Sequence, residues 1–258
     1  MTAHDMPLLS RMIADMQAQN PDHIACTGDL VNIGLHSEFE PAAHFLSGVG
    51  SSDRLSLVPG NHDAYVNSSQ ADIDRYLGPW MLSEAGRYEG FPYVRLMGPI
   101  ALIGLSSALP TFALLATGTL GVQQRRRFSE TLKFLGSQNL ARVVMIHHPP
   151  YRGGATIGRQ LTDASAFEDI IAENGAELIL HGHNHAVSLT HLAGPLGTRV
   201  PVVGAPSISA IRGSKTHRAG YHLFDFDMKE TGVSISGHTR GLLDGGEIGL
   251  VHSLSLEA

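Results

Sequence analysis

Four apolar runs in this chain have the length and composition of buried β-strands, and each stops at a cluster of carboxylate, carboxamide or imidazole side chains. They are HIACTGD, ending at Asp29; LSLVPGNHD, ending at Asn61, His62 and Asp63; VVMIHHPP, ending at His147 and His148; and LILHGHNH, ending at His183 and His185. Short apolar runs closed by turn residues are the pattern of strands buried on both faces. Helix-like segments lie between them. Leu8, Leu9, Met12, Ile13 and Met16 recur at helical spacing behind Asp5 as N-cap and Pro7 in the first turn, and further segments cover about 37–47, QADIDRYLGPW, about 121–136, and Asp163 to about Asn174. Strands alternating with helices restrict the chain to an α/β architecture, in which sites form in the crevice beyond the carboxyl ends of the strands. Four such ends in one sheet would bring the polar clusters together.

The C-terminal third changes character. TRVPVVGAPSIS, AGYHLFDFDM and GVSISGHTR read as strands joined by turns, and FPYVRLM with IALIGLSS reads as a hairpin across Gly98 and Pro99. Antiparallel pairing therefore joins the parallel units, so mixed sheets are expected. No repeat, low-complexity stretch or composition shift marks a boundary, and residues 1–258 read as one domain.

The net charge of −6 argues against a polyanionic partner, because nucleic-acid binding needs a basic surface to neutralise phosphates. The one basic run, Arg125 to Arg127, falls on a helix-like stretch and reads as a solvated face. No apolar run approaches the roughly 20 residues that span a bilayer, so no membrane partner is expected. The single Cys26 excludes an intrachain disulfide and fits a reducing, cytoplasmic setting. A homo-oligomer stays open.

Carboxylate, carboxamide and imidazole together suit borderline divalent metals such as Mn, Fe, Co or Zn. Taken singly, TGDL can be a turn and HHPP a loop opened by prolines. GNHD and GHNH fit such readings poorly, since each places several polar groups where a plain hairpin turn would suffice. In LILHGHNH, alternate side chains of an extended chain share a face, so His181, His183 and His185 can point together unless the chain bends at Gly182. The loop YRGGATIGRQLTD follows His147 directly; Arg152 and Arg159 are either phosphate contacts or part of a solvated surface loop. Tyr65, just after GNHD, is a candidate pocket residue on similar grounds.

The ordered set GD, GNHD, HHPP and GHNH resembles the calcineurin-like metallophosphoesterases, and the HHPP form is similar to their bacterial cyclic-nucleotide and glycerophosphodiester phosphodiesterase branch. The resemblance implies a sandwich of two mixed β-sheets flanked by helices, with two divalent metal ions at the strand ends. It further implies that a small phosphodiester is hydrolysed by metal-hydroxide attack at phosphorus. By it, Asp29 bridges both metals; Asn61, His147 and His183 complete the second site; His185 serves the first; His62 contacts phosphate and assists the leaving group; and Asp63 holds the His62 imidazole. His181 has no counterpart in the motif and reads as structural.

One motif of that pattern, an Asp-x-His closing a first strand, is absent, since only MTAH precedes the first helix-like stretch. His4 and His36 are the nearest imidazoles, and neither follows a strand. The first metal would keep two ligands, Asp29 and His185. The expectation is a chain shortened before its first strand, which binds one metal well. The alternative is a catalytically impaired phosphoesterase fold that binds a metal, a phosphorylated ligand or a protein partner.

Overall fold

A computed structural model of the chain describes residues 5–85, 88–111, 115–210, 217–229 and 232–256. Its centre is a six-stranded mixed sheet of β3 (Tyr93–Met97), β4 (Ile100–Gly104), β5 (Ala141–Ile146), β6 (Leu178–His181), β7 (Ser188–Ala193) and β8 (Arg199–Gly204), in the order β3-β4-β5-β6-β8-β7. The inner strands β4, β5, β6 and β8 are parallel, and the outer strands β3 and β7 run antiparallel to their neighbours. The buried runs VVMI and LILH are thus central strands with apolar side chains on both faces. β7 escapes the sequence pattern because SLTHLA mixes polar and apolar residues and is only half-buried.

One face of this sheet is covered by α4 (Gly121–Ser137) and α5 (Ala164–Asn174), whose Phe128, Leu132, Phe167 and Ile171 pack on Ile103, Val144 and Ile179. The basic run of α4, expected as a solvated face, is partly covered and engaged within the chain: Arg125 meets Asp163, Arg126 meets Glu130, and Arg127 lies over the Tyr88 ring. Asp163 also accepts the Leu120 and Gly121 N–H groups at the start of α4, supplying the first turn with a carboxylate from another element.

The opposite face packs on a second layer, with Tyr93, Leu102, Met145 and Leu180 meeting Val58, Phe224, Phe226 and Leu254. Among the described residues this layer consists of two separate sheets. One is the parallel pair β1 (Ile24–Cys26) and β2 (Leu55–Leu57); the other is antiparallel, β9 (Gly220–Lys229), β10 (Gly232–Leu242) and β11 (Ile248–Leu254). The layered α/β arrangement with helices outside is the expected one, while mixed pairing is confined to the six-stranded sheet.

Helices cover the second layer too. α1 (Met6–Ala18) is capped by Asp5, which accepts the Leu8 N–H at 3.1 Å, and Leu8, Met12 and Met16 pack on Ala219, Tyr221 and Ile24. One helix therefore touches both sheets of the layer. α2 (His36–Val49) and the helical segment that begins with α3 (Ser69–Asp72) and runs to Met81 bury Leu55 and Leu57 beneath Phe39, Leu77 and Trp80. Among the described residues, no helix is long and apolar enough to cross a membrane.

Candidate metal centre

The carboxyl ends of β1, β2, β5 and β6 converge, and the turns that follow them are held by two glycine contacts. A Cβ on Gly28, whose φ is +97°, would lie 2.6 Å from the Gly60 nitrogen. One on Gly60 would lie 2.1 Å from Asp29 Oδ1 and 2.7 Å from the His147 ring. The GD and GNHD turns therefore cross at backbone contact, which only glycine permits.

Asp63 locks that crossing. It is fully buried, and its carboxylate accepts the N–H groups of Asp29 (2.9 Å), Gly60 (2.8 Å), Leu30 (2.9 Å) and Val31 (3.0 Å). Burial and the nearby Asp29 carboxylate push its pKa up to about 6 against these hydrogen bonds. This corrects the role assigned to Asp63 from the motif, because its oxygens organise the backbone and do not hold His62. The His62 Nδ1 meets the Asn32 carbonyl at 2.5 Å, and its ring stands edge-on to Tyr65 with centroids 4.9 Å apart. Asn32 carries no motif signal, since only its backbone acts.

Inside the crossing lie Asp29, Asn61, His147 and His183. Asn61 Oδ1 is 3.1 Å from His147 Nε2 and 2.9 Å from His183 Nδ1; the two nitrogens are 3.2 Å apart; and His147 Nε2 is 3.3 Å from Asp29 Oδ2. His147 Nδ1 lies 2.7 Å from the Thr27 carbonyl, which can only accept, so in the neutral ring that nitrogen carries the proton and Nε2 presents a lone pair to the cluster. Asn61 gives its amide N–H to the Tyr65 hydroxyl at 2.8 Å, which turns its carbonyl oxygen inward. With the neutral His147 ring so arranged, its Nε2 and Asn61 Oδ1 are two acceptors facing each other at 3.1 Å, an arrangement that a cation relieves. Ligand atoms about 2.0–2.1 Å from a divalent ion are about 2.8–3.0 Å from each other at octahedral edges and about 3.3–3.4 Å at tetrahedral ones, a range that spans the observed separations.

The charges agree. Burial opposes ionisation of both groups, yet Asp29 raises His147 above the ordinary imidazole range, while His147 and His62 hold Asp29 well below the carboxylate range. Burial and the His147 charge push His183 down to about 3. The Asp29 carboxylate thus favours positive charge at His147, at the place a cation would take. Among the described residues no three His, Cys, Asp or Glu side chains alone form a metal-holding group. The Asn61 amide oxygen is needed to complete this one, and Asp29 Oδ1 is engaged by the His62 N–H at 3.0 Å.

β6 ends at His181, so the strand alternation stops there. His183 and His185 take left-handed backbone at φ 64° and 51°, as does Asp29 at 61°, conformations that cost a non-glycine residue energy and persist where packing imposes them. The bend is made by the histidines themselves. Gly182 is required for another reason, since a Cβ there would sit 2.9 Å from Thr27 Oγ1. His185 lies half-buried two residues past His183 on the same turn. His181 is buried apart from the cluster, with its ring edge-on to Tyr151. His148 also plays a packing part: Ser107 Oγ is 2.7 Å from its Nδ1, and its Nε2 meets the Ala116 carbonyl at 3.0 Å.

The weaker candidates separate. Arg152 is exposed and bound to Glu168 at 2.8 Å, so it does not serve the cluster. Arg159 reaches the His183 carbonyl at 3.4 Å and, with Gly154, Thr156, Asn184 and His217, lines an open cleft of about 410 Å³ beside it. Sequence reading missed His217, which lies outside every motif. His36 pairs with Asp72 at 2.7 Å on the surface, and His4 lies outside the described residues.

Residues 4–187 match the family described as calcineurin-like phosphoesterase. No curated protein sequence matches the chain significantly. Among solved structures the fold is similar to that of a dimetal phosphatase from Danio rerio, with a TM-score of 0.64 at 12% identity over 96% of this chain and 89% of that one. A sulfate thiohydrolase from Thermus thermophilus gives a TM-score of 0.48 at 17% identity, over 96% of this chain and 42% of the other.

Proposed function

The chain belongs to the calcineurin-like phosphoesterase family, and from that premise we propose that it is a metal-dependent hydrolase of a small phosphodiester, like the bacterial phosphodiesterase branch its HHPP motif resembles. The observation that carries this reading is the convergence of Asp29, Asn61, His147 and His183, whose inward atoms are spaced as ligands around one divalent ion. Divalent cations bound there would acidify water and neutralise phosphate oxygens during an in-line displacement.

This chain's own residues supply the rest. The His62 Nδ1–H is given to the Asn32 carbonyl, so the ring is oriented and Nε2 is the nitrogen available to the ester; as imidazolium it donates a proton to the leaving oxygen. Arg159 offers a guanidinium at the cleft, His217 an imidazole and Asn184 a carboxamide, for the substituent beyond the reacting phosphate. Among this chain's own residues, Asp29 and His185 would contribute to a second ion. The second reading is a catalytically impaired fold that binds a metal or a phosphorylated ligand.

Turnover of bis(p-nitrophenyl) phosphate with Mn²⁺ supplied decides between them. The first reading expects hydrolysis that saturates with metal and outpaces degradation of DNA or RNA. Tight Mn²⁺ binding without hydrolysis establishes the second, and faster cleavage of long nucleic acid at moderate salt overturns the small-substrate assignment.

A further inference from the structure

We infer that Glu38 is a positioning residue for His62, acting through the Asn32–Ile33 peptide group. The inference rests on the proton-donor role proposed for His62 and adds the residue that aims its ring. Residues 29–34 form an irregular loop between β1 and α2, and among the described residues none of them makes a backbone–backbone hydrogen bond. Two carboxylates hold the loop instead. Asp63 takes the N–H groups of Asp29, Leu30 and Val31. Glu38, in the first turn of α2, takes those of Asn32 at 3.3 Å, Ile33 at 3.2 Å and Leu35 at 2.8 Å. Backbone N–H groups can only donate, so the direction of each of these bonds is fixed.

The Ile33 N–H and the Asn32 carbonyl belong to one planar trans peptide group, in which they point in opposite directions. Glu38 draws the N–H to one side of the loop, and the carbonyl therefore faces the other, where it meets His62 Nδ1 at 2.5 Å. A carbonyl can only accept, so this contact puts a proton on Nδ1 in the neutral ring as well as in the imidazolium. Nε2 is left as the nitrogen that gives a proton to the leaving oxygen. Gly34 lets the loop lie this close: its φ is +73°, and a Cβ there would sit 3.1 Å from the Asp63 carbonyl oxygen and 3.3 Å from that of His62. Asn32 and Ile33 are exposed, so without Glu38 water satisfies the Ile33 N–H in other directions as well. The peptide group is then free to rotate, and the ring loses its acceptor.

A residue that acts on a proton donor through one peptide group leaves its signature in the imidazole itself. The nitrogen-15 shifts of His62 are measured on the full chain with a chelator present, at a pH where the ring is neutral. The wild type is expected to carry the proton on Nδ1, and Glu38→Ala to move toward the Nε2–H form that histidine side chains favour in water. Glu38→Gln, which keeps one acceptor oxygen, is expected to move the shifts in the same direction by less. With Mn²⁺ supplied, Glu38→Ala is expected to lose about 10-fold or more in turnover of diphenyl phosphate, whose phenolate leaves poorly without a proton. The loss is expected to be smaller on bis(p-nitrophenyl) phosphate and absent when Glu38→Ala is added to His62→Ala. His62 shifts equal to wild type in both Glu38 variants overturn the inference, and so does an equal loss of turnover with and without His62. Absence of turnover by the wild type is a different failure, because it removes the proposed reaction while the nitrogen shifts still decide whether Glu38 sets the ring.

Discussion

At the scale of single residues, the neighbours Asn61, His62 and Asp63 do three separate jobs: the first turns an amide oxygen into the cluster, the second presents an imidazole at its edge, and the third ties two loops together from below. His62→Ala is expected to lower turnover roughly 100-fold or more, the usual loss for a positioned acid, with metal content near wild type by elemental analysis. Asp63→Ala tests the corrected role. It leaves four backbone N–H groups without their acceptor, and at about 1–3 kcal/mol for each buried unsatisfied group the variant is expected to lose at least ~3 kcal/mol in denaturant unfolding. Wild-type stability with reduced turnover would instead return Asp63 to the service of His62. The motif made the identities of these residues legible in advance. The division of labour was not, because it depends on which backbone groups the crossing of the GD and GNHD turns brings to each carboxylate oxygen, and Asn32 takes part only through its carbonyl.

At the scale of elements, α1 shows what local sequence can and cannot reveal. Its cap, its proline and its apolar stripe were readable, since each is a near-neighbour pattern. Its seat was not. Asp15 accepts from Arg240 Nε at 2.9 Å and Nη2 at 2.7 Å, and from the Tyr221 hydroxyl at 2.5 Å, so the helix is tied to β9 and β10 by contacts more than 200 positions away. The Arg240 hydrogen bonds hold the Asp15 carboxyl below its ordinary value of 3.8. A carboxyl with a depressed native pKa adds stability above its unfolded value and loses it as pH falls through the native one. Asp15→Asn is therefore expected to destabilise the protein at neutral pH, with the difference from wild type shrinking below about pH 4 and vanishing in stronger acid. Urea unfolding at several pH values checks this, and a pH-independent difference would show that the pair's charge is irrelevant. The turn after β6 teaches a similar lesson: strand alternation was a sound rule up to His181 and failed at His183, where tertiary contacts impose left-handed backbone on residues that local preference would not put there.

At the scale of the whole molecule, the six-stranded sheet acts as the base on which β5 and β6 deliver His147 and His183, while β1 and β2 deliver Asp29 and Asn61 from the other layer. A cation bound between them would join the two layers. Binding to the native state alone stabilises by about 2.7 kcal/mol at one hundred times Kd, so Mn²⁺ is expected to raise the thermal midpoint and a chelator to reverse the gain. An unchanged midpoint at saturating Mn²⁺ would mean that the layers are not joined there.

The most direct test of the account is the metal content and Mn²⁺-dependent phosphodiester turnover of His147→Ala beside the wild type, measured on the same dialysed samples. The account predicts one tightly held ion per wild-type chain and metal-dependent hydrolysis, with both lost in the variant. Retention of the ion and of activity by His147→Ala would contradict it, because the nitrogen at the centre of the four-residue cluster would then hold nothing.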